Sequence, residues 1–236
     1  MKTRFWLRSW ISISTNWSLL YPIPLLWKST AWLKRRKATP TSATSSYGTF
    51  LEKYRHPEYL GQDQVFVWLY DQYFSQLEIS DMNETNLAMI RDKAKRLRRL
   101  ALFNLAPDFK INDSLNLHSV ESEYTVVFFY DHDCDVCQQE MRDMDSVCVA
   151  HPEITVLAMD MNIDGAADSS GGFAIRTKGN GDFKSPIQHR RITNPSELIA
   201  ISDAYDIETT PLIYVLDRDK RILAKKIRAK QIPLIL

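Results

Sequence analysis

Apolar residues recur at three- and four-residue steps in one stretch of the chain and form near-continuous runs in another, and the change comes at about residue 105. Between residues 63 and 77, Phe66, Leu69, Tyr70, Tyr73, Phe74 and Leu77 fall on one helical face, and between 84 and 103 Leu87, Ile90, Ala94, Leu97 and Ala101 do the same. Two such helices cannot bury their faces alone, so they should pack together and against the domain beyond residue 105, as an all-helical subdomain over residues 47–104. In that domain the uncharged run Tyr124-Thr-Val-Val-Phe-Phe-Tyr130 reads as a strand. A helix to Ala150 comes next, with Met141, Met144, Val147 and Cys148 facing a core, then a second strand from Ile154 to Asp160. Asn194-Pro195-Ser196-Glu197 starts a helix that runs through Leu198 and Ile201 to Tyr205. Thr210-Pro211 opens a third strand, Leu212 to Asp217, and the polar turn Arg218-Asp219-Lys220 joins it to a fourth, Arg221 to Ile227. Strands alternating with helices and ending in a hairpin predict an α/β sandwich with a mixed central sheet. The glycines and serines of Gly165 to Ser185 read as a long loop within an insertion over residues 162–193.

Chemistry concentrates where the first strand hands over to the first helix. Cys134-Asp135-Val136-Cys137 puts two cysteines on a helix's first turn, close enough for a disulfide, and the partial positive charge there favours the thiolate of Cys134. Cys148 lies about three helical turns beyond Cys137, cannot bridge to either motif cysteine while the helix stands, and reads as a small core residue. Three cysteines, two of them in the motif, indicate redox catalysis rather than a disulfide framework. The competing reading of Asp131-His-Asp-Cys-Asp-Val-Cys137 is a metal site, but structural zinc recruits a second ligand pair at similar spacing and the chain has none, so no metal is assigned.

Three motifs together carry a resemblance: Asp-Cys-x-x-Cys after a strand, Tyr205-Asp-Ile-Glu-Thr-Thr-Pro-Leu-Ile-Tyr-Val-Leu-Asp217, and Ala106-Pro-Asp-Phe109 upstream. Over residues 105–228 the chain resembles the thioredoxin superfamily, specifically its TlpA/ResA-like thiol-disulfide oxidoreductases. The resemblance implies a three-layer thioredoxin-like domain over 105–236, no cofactor, and protein thiols or disulfides as partners. It implies that Cys134 attacks and Cys137 resolves. It also implies that Thr210 and a cis Pro211 form the substrate platform, and that Glu140, in the pattern C-x-x-C-x-x-E, tunes cysteine ionisation. The simpler reading of Glu140 is a first-turn glutamate favoured by the helix dipole. Departures accompany the match. Phe128 stands where thioredoxin proper has a buried aspartate, Asp133 replaces a tryptophan, and Asp135-Val136 replace Gly-Pro. Asp131, Asp133 and Asp135 oppose a thiolate at Cys134, whereas the helix end and a protonated His132 favour it; His132 itself reads as a solvated loop residue. Phe50 to Tyr59 and the two helices resemble the helical domain that precedes the thioredoxin module in many proteins of Bacteroides-type bacteria. A second function class stays open: a thioredoxin-fold binding or scaffold protein of the cell envelope in which the cysteine pair is inert.

Charge sets the first residues apart. The first 51 contain eight Lys and Arg and no Asp or Glu, leaving 22 basic against 29 acidic residues for the rest of a chain whose net charge is +1. Five of the six tryptophans lie before Leu33. Lys2, Arg4 and Arg8 followed by the charge-free run Ser9 to Trp27 give residues 1–46 the look of an export or anchor segment, with membrane association and a periplasmic or cell-envelope location; a misassigned start is the alternative. The absence of cysteine before Cys134 excludes lipoprotein anchoring. Arg91, Lys93, Lys95, Arg96, Arg98 and Arg99 read as a solvated helix face, and no nucleic acid is expected as a partner, since no aromatic or glycine-rich signature accompanies them. Residues 229–236 are short and proline-interrupted for the closing helix that the resemblance implies, and truncation there would expose one sheet face. At 236 residues and 44% hydrophobic content the chain can hold one full domain and a smaller companion.

Overall fold

A computed structural model of the protein describes residues 52–55, 60–72, 74–76, 83–112, 115–163 and 187–236. All of them lie in one compact unit, Leu51–Leu236. The expectations for the basic segment 1–46 and for most of the 162–193 insertion fall outside the described residues.

Helix α1 (Asp63–Gln72) buries Phe66, Val67 and Leu69, and a single 3-10 turn, Phe74–Gln76, comes after it and buries Phe74. Helix α2 (Glu84–Arg99) starts at Asn83, whose side chain accepts from the Thr85 N–H at 2.8 Å, and ends with Arg96, Arg98 and Arg99 beside its negative dipole end. It stops before the apolar spacing does. Phe103 adopts a left-handed backbone (φ 67°) and its N–H donates to the Ile222 carbonyl, so pairing with the distant hairpin ends the helix. Next in the chain is a two-stranded ribbon, β1 (Lys110–Asn112) with β2 (Leu115–Asn116), too short for a periodicity to reveal.

The central sheet contains β3 (Tyr124–Tyr130), β4 (Ile154–Asp160), β5 (Ile187–Arg191), β6 (Leu212–Leu216) and β7 (Ile222–Lys225), in the order β5-β4-β3-β6-β7. The β3, β4 and β5 strands run parallel; β6 is antiparallel to β3, and β7 to β6. Helix α3 (Asp135–Ala150) joins β3 to β4 and α4 (Pro195–Tyr205) joins β5 to β6. Strand β5 lies inside the 162–193 insertion, beyond the Gly165 to Ser185 stretch, and the sequence did not reveal it: an edge strand with one buried position, Ile187, in Ile-Gln-His-Arg-Arg shows neither the alternation nor the apolar run that marks a strand.

Side-chain alternation along β3 divides the core into two layers. Val126, Phe128 and Tyr130 join Met141, Met144 and Val147 of α3, while Val127 and Phe129 join Ile201 and Tyr205 of α4 together with Phe109 and Leu117. Phe109, Phe129, Tyr205 and Tyr214 meet ring to ring with centroids 5.0 to 6.4 Å apart.

The end of the chain packs into the core layer on the α3 side of the sheet. Residues Ala229–Leu234 form a 3-10 helix against α3, with Ala229 and Ile232 fully buried. Pro233 is tolerated because the turn relies on few backbone donors, and the start is held by Glu140, whose carboxylate accepts from the Ala229 N–H and the Arg228 guanidinium, both at 2.8 Å. No described helix is long and apolar enough to cross a membrane.

The helical segment is pinned to the sheet by a buried ion pair. Lys225 on β7 is 3% exposed, and its Nζ donates to Asp63 at the start of α1 and to the Leu100 carbonyl after α2. Burial pushes the Lys225 ammonium below its ordinary pKa range, and the Asp63 carboxylate acts the other way. Asp63→Asn is therefore expected to lower stability by about 3 kcal/mol, because it leaves a buried ammonium without its counter-charge. In urea the unfolding midpoint should fall with the slope unchanged, and adding Lys225→Met should recover part of the loss, the Leu100 carbonyl remaining without its donor.

Candidate active site

Strand β3 ends at Tyr130, and the turn Asp131–Asp133 delivers Cys134 to the start of α3. Asp131 folds this turn, its side chain accepting from the Asp133 N–H at 2.9 Å and its carbonyl from the Cys134 N–H at 3.2 Å. Cys134 is the N-cap of α3: its backbone is extended (φ −95°, ψ 115°), its carbonyl accepts the first helical bond from Gln138, and its Sγ accepts from the Cys137 N–H at 3.3 Å. Sulfur thus occupies the place that a serine or aspartate oxygen fills in an ordinary cap, and charge on it faces the positive end of the helix.

The two thiols differ in access. Cys134 is half-buried, Cys137 is 1% exposed, and both are free. Burial pushes the Cys137 thiol up to about 11; hydrogen bonds from the Asp131 backbone and the Thr210 hydroxyl oppose this, and the neighbouring Cys134 adds to it. Cys148 sits deeper along α3 in the apolar layer, and burial raises it likewise to about 11.

Thr210 and Pro211 approach from the opposite side. The Thr210–Pro211 bond is cis, and Pro211 immediately precedes β6, whose Leu212 pairs with Phe129 near the end of β3. A cleft of about 320 Å³ opens beside this junction, lined by Val136 and Glu140 of α3, by Thr210 and Pro211, and by Lys226 and Arg228. Three of the five residues that the sequence singled out, Glu140, Thr210 and Pro211, line this cleft, and Cys137, with Cys134 beside it, neighbours Thr210; Glu140 spends both carboxylate oxygens on Arg228 and Ala229.

No protein-family model and no curated protein matches the chain. Among solved structures it is similar to a thioredoxin-like protein from Bacteroides caccae, with 12% identity over 84% of this chain and 77% of that one and a TM-score of 0.51. The chain has a thioredoxin-like fold. Two shorter matches are a thiol:disulfide interchange protein from a Bacteroides species (19% identity, 56% of this chain and 86% of that one, TM-score 0.46) and the thioredoxin domain of a thiol-disulfide oxidoreductase from Bacteroides vulgatus (18%, 55% and 90%, 0.41).

Within this thioredoxin-like fold the site holds residues that the sequence reading passed over. Asp160, at the end of β4, is 5% exposed and lies 2.8 Å from His132 Nδ1, while its other oxygen accepts from the Asn162 N–H. The Asn162 side chain donates to Asp131 and Asp133. His132 is thus held by a carboxylate rather than solvated, and its carbonyl accepts from the Gln138 side chain at 3.0 Å. An acidic residue closing an apolar strand was the available signal. Among the described residues no three acidic, histidine or cysteine side chains converge to hold a metal ion.

The basic face of α2 also departs from its reading. Lys93 is 4% exposed, and its Nζ donates to both Asp206 oxygens and to Glu208; Arg96 reaches Asp206 and Asp203, and Arg99 the carbonyls of Asp203 and Ala204. Spacing cannot separate a solvated cation from one that meets carboxylates 113 residues away.

On alkylation of the reduced protein with iodoacetamide at pH 7.5, a pH of about one unit below the ordinary thiol range, Cys134 should be labelled first, with Cys137 and Cys148 lagging. Labelling of the latter two should keep rising with pH towards about 11, as read by mass spectrometry, because only the thiolate reacts.

Proposed function

We propose that the chain is a thiol-disulfide oxidoreductase that exchanges disulfides with partner proteins through Cys134 and Cys137. The observation that carries this reading is the asymmetry of the pair: an accessible sulfur at the N-cap of α3, a buried one a turn below, and Thr210-Pro211 against them. A structural or inert pair has no need of one sulfur kept more accessible than the other.

In the reducing direction Cys134, as thiolate, attacks one sulfur of a substrate disulfide. A Cys134–substrate bond forms, the substrate S–S bond breaks, and the departing substrate thiolate takes up a proton. Cys137 then gives up its proton and attacks Cys134 Sγ; the mixed disulfide breaks, the second substrate thiol is released, and the Cys134–Cys137 disulfide holds the two electrons' worth of oxidation. Keeping Cys137 protonated until then suits a resolving thiol, since it leaves the first attack to Cys134. The reverse sequence oxidises a substrate dithiol through the same intermediate.

Thr210 acts on the buried thiol and on the substrate in this scheme. Its hydroxyl eases the ionisation of the neighbouring Cys137, and its backbone borders the cleft, where an extended substrate segment finds strand-like pairing. Glu140 helps to shape the cleft wall by fixing Arg228, and in this scheme its carboxylate, three residues beyond Cys137, tunes thiol ionisation through space.

Cys137→Ser should accumulate mixed disulfides with protein substrates, resolved on non-reducing gels and released by dithiothreitol. Efficient trapping by Cys134→Ser instead would reverse the assignment, and trapping by neither would leave the pair without exchange activity.

A further inference from the structure

The segment from Asp206 to Thr210, which leads from α4 to Pro211, contains no strand or helix, so side chains rather than a backbone ladder hold its shape. It begins at Asp206, a left-handed residue (φ 53°, ψ 48°) whose side chain is 1% exposed. A carboxylate buried to that degree requires a counter-charge. Lys93 of α2 supplies it, with Nζ 2.8 and 2.7 Å from the two Asp206 oxygens, and the same ammonium lies 2.8 Å from Glu208, two residues closer to Thr210. Arg96 adds a bond to Asp206 at 3.2 Å and one to Asp203 at 3.1 Å; Arg99 donates to the Asp203 and Ala204 carbonyls, at the negative end of α4. Lys226, on the far side, is 3.6 Å from Asp206. Asp206, Glu208, Thr209 and Thr210 all border the cleft, together with Pro211 and with Val136 and Glu140 of α3.

Lys93 joins two points of this segment. Arg96 and Arg99 grip the helix end and its cap, whereas the Lys93 ammonium fixes both the cap and Glu208, and so limits where Thr209 and Thr210 can lie. We propose that Lys93 is a positioning residue for protein-disulfide substrates: the helical segment, through this one ammonium, holds the Thr210 backbone where an incoming substrate strand pairs with it. The inference rests on the oxidoreductase reading above. Lys93 touches neither cysteine in this scheme, so its removal affects docking and leaves the sulfur chemistry intact.

The test compares full-length wild type with Lys93→Met in the dithiothreitol-driven reduction of insulin, and in the reaction of the reduced dithiol with hydroxyethyl disulfide, which needs no platform. KM for insulin should rise about tenfold with kcat and the small-disulfide rate within about twofold of wild type, the pattern of lost uniform binding. Lys93→Met leaves Asp206 buried without its ammonium and can unfold, so Lys93→Met/Asp206→Asn is the second variant; asparagine tolerates the left-handed backbone and carries no charge. It should fold and show the same rise in KM. An unchanged KM in either folded variant, or equal losses in the insulin and small-disulfide reactions, overturns the role of Lys93 and leaves the oxidoreductase reading standing. A wild type that forms the Cys134–Cys137 disulfide with hydroxyethyl disulfide but does not turn over insulin removes both.

Discussion

Strands β3 and β6 run antiparallel, and in their register Phe129 faces Leu212. This pairing sets the end of one strand beside the beginning of the other. Asp131 to Cys134 leave the first, Thr210 and Pro211 enter the second, and two motifs more than seventy residues apart in the chain become one site. The register is held on both faces by the alternation of β3, every inner residue of which from Thr125 to Phe129 is fully buried. A one-residue slip would exchange the two apolar layers and is strongly disfavoured.

Around that junction the chain buries charge in pairs. Lys93 with Asp206, Lys225 with Asp63 and Arg228 with Glu140 each join elements far apart in sequence, and in the first two both side chains are 5% exposed or less. Such pairs contribute little net stability over apolar replacements of equal volume, but losing one partner is costly. Their effect here is to fix arrangement. The first ties α2 to the segment before Pro211, the second ties α1 to β7, and the third closes the last turn of the chain onto the helix that carries the cysteines.

The two thiols show the same contrast of burial and access. One sulfur caps a helix and stays accessible, and the other is enclosed, raised by burial and moderated by the Thr210 hydroxyl. The turn before them is braced by a carboxylate and an amide from the end of β4, Asp160 and Asn162, so the ends of two neighbouring strands hold the turn that leads to the cysteines. Phe128 is wholly buried and stacked on Tyr130, which leaves no carboxylate at that point of β3 to exchange a proton with the thiols.

Local signals in the sequence were enough for the elements that build the sheet's centre. Strands Tyr124–Tyr130 and Ile154–Asp160 were legible to the residue because both faces are buried and the runs carry almost no charge before Asp160, and the helix after Cys134 because its apolar spacing is regular. The cysteine pair and the Thr-Pro strand start were legible as motifs, each defined by residues close together in the chain. Strand β5 was not, since an edge strand with one buried side chain leaves no periodicity, nor was the closing 3-10 turn, which depends on a carboxylate of α3 to hold its first residues. Nor could spacing alone show that Lys93 is buried while Lys95 on the same helix is exposed. That distinction belongs to Asp206, 113 residues away, and sequence distance carries no Coulomb energy; only the folded chain, by bringing the two within 2.8 Å, sets a basic helix face against the segment that precedes Pro211.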